Sequence, residues 1–144
     1  MSSADTIAVL NRVLGIVLRS FPQYLRWGRP HVPPNHAHAL ETLHNIAADE
    51  DALAERIFDA IIDLGGLPDT GEFPMEFTDT HDLDIDFLVR ESIGYGRQDI
   101  AALESLAATA NLSPPADSLT ADAVNMAKRH LAALEATVPP SPKG

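Results

Sequence analysis

Two polar residues stand where the helical period asks for apolar side chains, and both could bind a metal or carry a proton. The series Leu43, Glu50, Ile57, Leu64 repeats every seven residues, so a carboxylate lies mid-way along an apolar stripe. The series Leu119, Ala123, Met126, His130, Leu134 does the same for an imidazole. Glu91 lies three residues beyond Leu88 and four before Tyr95 and can share their face, although the phase there is poorly determined. Carboxylates and an imidazole converging from three helices form the donor set that takes iron, manganese or zinc in a bundle core. The same residues have a structural reading. A buried Glu can pair with His or Arg, and a His on an apolar face is often a hydrogen-bonded core residue.

A second grouping lies on one flank of the same helix as Glu50. Asp51 and Glu55 are one turn apart, His44 is seven residues before Asp51, and His31, His36 and His38 stand just upstream. Such a flank binds a divalent ion, for instance across a subunit boundary, or is a solvated helix face. Glu41 and His44 make one Glu-x-x-His pair. The acidic stretch from Asp79 to Asp86, with His81, reads as capping and solvation of the helix that follows, because carboxylates near a helix N-terminus complement its dipole. No glycine-rich phosphate loop, Ser–His–Asp order or nucleophile elbow is present in the sequence. The absence of cysteine excludes disulfides, thiolate metal sites and cysteine nucleophiles, so any metal must be held by Asp, Glu and His.

The elements that must position these residues are helices. Apolar residues at Leu10, Val13, Leu14, Val17, Phe21 and Tyr24 predict a first helix over 4–27, kinked at Pro22. Ile7, Ile16, Leu18 and Leu25 lie off that stripe, which implies a second buried side and, as the natural candidate to cover it, a partner subunit. After the proline-rich 28–34 segment, Asn35 is the expected N-cap of a long second helix that Gly65, Gly66 and Pro68 terminate. Residues 67–81 show little periodicity and read as a crossover. A third helix is expected over 83–110, a proline-containing turn over 111–117 and a fourth helix over 119–137. One domain over 1–137 and a disordered proline-rich tail over 138–144 follow. Short, long and short connections in that order describe an all-α four-helix bundle with one long crossover between its second and third helices, the alternative being an up-down-up-down bundle with an unusually long middle loop.

A net charge of −11 with scattered Lys and Arg disfavours nucleic acid as a partner. No apolar run is long enough to span a membrane, and no secretory pattern opens the chain, so the expectation is a cytoplasmic protein.

Leu10-Asn11-Arg12-Val13-Leu14 with Gln23-Tyr24-Leu25 resembles the first helix of bacterioferritins. Ala54-Glu55-Arg56-Ile57 leading to Gly65-Gly66-Leu67-Pro68 is similar to the end of the second helix in bacterioferritins and Dps proteins, and His130-Leu131-Ala132-Ala133-Leu134-Glu135 resembles their fourth. The resemblance implies a ferritin-like fold, iron as the metal handled, ferroxidase-type oxidation if active, and assembly as a homodimer or larger shell. Of the bacterioferritin di-iron ligands, Glu50, Glu91 and His130 match; the other positions fall on Val17, Leu53 and Ala127, so the internal site is degenerate. The haem-ligating methionine falls on Asp51, so no haem is expected. The Dps intersubunit site implies an alternative set, His36, Asp51 and Glu55. Two functions are therefore expected to compete: an iron-binding or iron-oxidising protein with an incomplete site, and a metal-free bundle acting as a structural or interaction module. Catalysis by a carboxylate-metal centre is the least expected.

Overall fold

The computed structural model describes residues 1–26, 28, 30–78 and 83–138, and over these the chain is all-α. The described residues form five α-helices: α1 (Ser3–Leu18), α2 (Phe21–Leu25), α3 (Ala37–Asp63), α4 (Ile85–Ala107) and α5 (Ala116–Thr137). The expected first helix is split into α1 and α2. Ser2 opens α1 with a capping box, its hydroxyl accepting from Asp5 N and its own N–H bonded to the Asp5 carboxylate. The break comes one turn before Pro22 because that residue has no N–H to offer the carbonyl four positions back, at Leu18. Ser20 then caps α2, its hydroxyl accepting from Gln23 N at 3.3 Å.

Helix α3 starts after a 3-10 turn, Pro34–His36, rather than at an Asn35 cap; His36 holds the N-cap position and makes no side-chain capping bond. Its other end matches the expected stop. Gly65 has φ +83°, and the Gly65 and Gly66 N–H groups bond the carbonyls of Ile62 and Ile61, both at 2.9 Å. A side chain on Gly66 would also collide with Ile7, which packs 2.8 Å from where its Cβ would stand. The start of α1 therefore meets the end of α3.

Helices α3 and α4 begin at the same end. His31 forms a parallel bridge with Asp84, through His31 N to Leu83 O and Ile85 N to His31 O, and His36 meets Asp86 in the first turn of α4. Asp84 occupies the N-cap position without a side-chain capping bond, while Asp86 supplies first-turn negative charge. The rest of the acidic stretch, Asp79 and His81 included, lies outside the described residues, as do residues 139–144 of the expected tail. Leu134 and Val138, at the end of α5, share an apolar cluster with Ile85 at the start of α4.

The segment after α3 is strapped along α1. Asn11 donates to Leu67 O at 3.1 Å and accepts from Asp69 N at 2.7 Å. Arg19 donates to the Thr70 carbonyl and hydroxyl and stacks over Phe73, whose ring also meets Tyr24. On the second side of the first helix, Ile7, Ile16 and Leu18 are half-buried against one apolar cluster and Leu25 is buried in the other.

The core is in two parts. One, largely aliphatic, gathers Leu10, Val13, Leu14, Leu53, Ile57, Ile61, Leu103 and Leu119; the other is aromatic-rich, with Phe21, Phe77, Leu43, Ile85, Leu88 and Leu134. Phe21, Phe77 and Tyr95 stack mutually, centroids 4.9–5.1 Å apart. Between the two parts each helix carries polar residues, with Ala47 and Ile100 as buried apolar ones among them.

Candidate functional site

Those polar residues surround a cavity of about 40 Å³. Ser20, Glu50, Ser92, Asp99 and His130 line it, with Ile16, Val17, Ile46, Leu103 and Met126 as its apolar walls. Ser20 at the α1–α2 break, Glu50 between Ile46 and Leu53, Asp99 between Tyr95 and Leu103 and His130 between Met126 and Leu131 sit at the gap between the core halves, while Ser92 lies within the aromatic-rich half, between Val89 and Ile93.

Glu50 is 6% exposed, as its place on the apolar stripe implied. Its Oε1 accepts a hydrogen bond from Ser20 Oγ at 2.7 Å. Burial drives its pKa well above the ordinary carboxylate value; the Ser20 hydrogen bond opposes this, and the charges of Asp99 and Asp51 add to it. Asp99 is pushed up to about 7 by burial alone. Ser92 is turned away from this chemistry, its hydroxyl donating to Leu88 O at 2.8 Å.

His130 reaches the cavity but not as an inward ligand. Its side chain is 12% exposed, and its Nε2 lies 3.0 Å from Oδ2 of Asp49, a carboxylate 62% exposed. Desolvation lowers its pKa, against the raising effect of Asp49. The imidazole is thus neutral at neutral pH and supplies no cation to the buried Glu50 or the half-buried Asp99. Glu91 is half-buried and is not among the cavity-lining residues, so α4 presents Ser92 and Asp99 inward instead.

The alternative set is not brought together. His36 Nδ1 is 2.9 Å from Asp86 Oδ1, Asp51 is held by Arg26 at 2.8 Å and by Gln23 at 3.0 Å, and Glu55 is exposed. Gln23 also donates to Ala47 O, which ties α2 to α3. Among the described residues no group of three or more His, Asp or Glu side chains is arranged to hold a metal ion. Of the expected ligands, Glu50 is hydrogen-bonded to Ser20 and His130 to Asp49.

Asp99 and Ser20 are the members of the site that the helical pattern had not singled out. A signal existed for Asp99: Ile85, Ser92, Asp99 and Leu106 form a seven-residue series in α4, with polar residues at its two middle positions. For Ser20 the signal was its place just ahead of Pro22, where a helix restart needs a cap.

No protein-family model, curated protein or solved structure matches this chain. No helix among the described residues is long and apolar enough to cross a membrane.

Proposed function

We propose that the chain is a ferritin-like bundle with one long crossover, whose internal site has exchanged metal binding for a hydrogen-bonded polar layer, and that it serves as a structural or interaction module. The observation that carries this is the Ser20–Glu50 hydrogen bond: the one buried carboxylate among the described residues is satisfied by a protein donor within the bundle. The crossover part of the reading is supported by the His31–Asp84 bridge, which sets the starts of α3 and α4 side by side. Contact with a partner, whether a second copy or another protein, would fall to the exposed apolar residues of α3, Phe58 and Ile62, rather than to the first helix.

The second reading keeps iron. It is favoured by one observation, that Glu50, Asp99 and His130 reach a common cavity from three helices, and it requires His130 to leave Asp49. Metal analysis of protein purified without a metal-binding tag, coupled with ferrous titration followed by ultraviolet absorbance, separates the two. The expected outcome is no stoichiometric metal and ferrous oxidation at the protein-free rate. Stoichiometric iron with accelerated oxidation would overturn the metal-free reading, and Glu50→Ala against Asp51→Ala would then show which site is used.

A further inference from the structure

The end of α3 is built against its own electrostatics. Glu55, Asp59 and Asp63 are exposed on its C-terminal half, and no basic residue stands in its last turn. A helix C-terminus carries partial negative charge, so carboxylates there raise the energy of the chain on its own. None of the three has an ion-pair or hydrogen-bond partner for its side chain among the described residues. Arg56, the one base on this half of the helix, is taken by Asp122 of α5 at 2.9 Å. A local conflict of this kind on a surface marks a place where something else completes the structure.

Apolar side chains are set among these carboxylates. Phe58 is 44% exposed and Ile62, one turn on, is 48% exposed, and both share a side of α3 with Glu55. Leu67, just past the turn that closes the helix, is 83% exposed although the backbone around it is fixed. The Gly66 N–H bonds Ile61 O, and Asn11 bridges Leu67 O and Asp69 N. A large apolar side chain held in water by a clamped backbone is already placed for contact, so little ordering remains when a partner arrives.

We propose that this end of α3 docks a basic amphipathic helix of another protein. The proposal rests on the interaction-module reading and gives the partner its chemistry. Apolar residues one turn apart on the incoming helix pack on Phe58 and Ile62, with Leu67 closing one end. Lys or Arg beside them neutralise Glu55, Asp59 and Asp63 and meet the negative end of α3. Charge selects this occupant over a second copy. A two-fold contact through the same patch would set these carboxylates against their own counterparts, whereas a basic helix relieves the repulsion they already suffer.

The test is fluorescence anisotropy of a labelled Leu–Lys peptide patterned as an amphipathic helix, titrated with the full chain in buffer containing chelator. A peptide of the same composition in scrambled order reports non-specific attraction to an acidic protein. The patterned peptide should bind about tenfold more tightly, and Phe58→Ser with Ile62→Ser should remove that advantage. Asp59→Lys with Asp63→Lys should weaken binding about tenfold, well beyond the loss from Glu104→Lys with Glu135→Lys, which reverses two exposed carboxylates on α4 and α5. The first of these charge reversals should also raise Tm by about 2–4 °C, because lysines suit a helix C-terminus. Equal binding of the two peptides, equal losses from the two charge reversals, or a Tm that fails to rise overturns the proposal. So does dimerisation in sedimentation runs that Phe58→Ser with Ile62→Ser abolishes, which would assign the patch to a second copy. Each of these outcomes leaves the metal-free module reading in place. Stoichiometric iron in the parent chain, measured apart from the peptide, is what overturns that reading.

Discussion

The interior layer and the start of α3 use the same side-chain chemistry in different solvents. Glu50 is satisfied by Ser20 at 2.7 Å and His36 by Asp86 at 2.9 Å, so the contacts are of similar length. Glu50 is buried between two apolar clusters, while the side chains of His36 and Asp86 keep about a quarter of their surface in water. What differs is the alternative each group has when its partner is removed. Water is at hand for His36 and scarce for Glu50, and an unmade hydrogen bond costs most where no substitute can reach it. Proximity of polar residues therefore says little about energy until burial is known.

The sharpest way to break this comparison is Ser20→Ala. That change removes the donor to Glu50 and the cap of α2 together, and should cost about 2–4 kcal/mol at neutral pH, or a fall of about 6–12 °C in Tm by thermal denaturation. A fall under about 2 °C would mean that water already serves Glu50, and the contrast with His36 would collapse.

Much of this was legible in the sequence, and the failures have identifiable causes. The apolar stripe placed Glu50 inside because a seven-residue spacing on a long helix holds its phase over many turns. The glycine pair after Asp63 marked a helix end because its positive φ and close approach to Ile7 leave few other residue types able to serve. His130 lines the cavity, but its partner was not foreseen: Asp49 sits one position before Glu50 on a different helix, and such pairings depend on packing. The strap along α1 was unreadable for the same reason. Asn11 and Arg19 look like surface polar residues until the backbone of 67–71 is laid against them.

A smaller effect sharpens the comparison from within the core. Thr120 is fully buried and its hydroxyl has no hydrogen-bond partner among the described residues, so it bears the cost that Ser20 spares Glu50. Thr120→Val keeps the shape and removes the unsatisfied group, and should raise stability by about 1 kcal/mol, or about 3 °C in Tm. An unchanged or lower Tm would show that the hydroxyl is hydrated or bonded in solution, and that the aliphatic half of the core is wetter than its residues indicate.

The smallest effect belongs to the other side of the comparison. His36→Ala removes the contact with Asp86, an ion pair when the imidazole is protonated, at the place where α3 and α4 begin together, yet both side chains are partly solvated and the cost should stay near 0.5 kcal/mol. That residual should shrink further between low salt and about 0.5 M salt, because charges in contact with water are screened. Ser20→Ala, acting in the interior, should show no such salt dependence. Matching salt responses in the two variants would place both groups in the same dielectric environment, and the division of the molecule into a dry polar layer and a wet polar end would have to be abandoned.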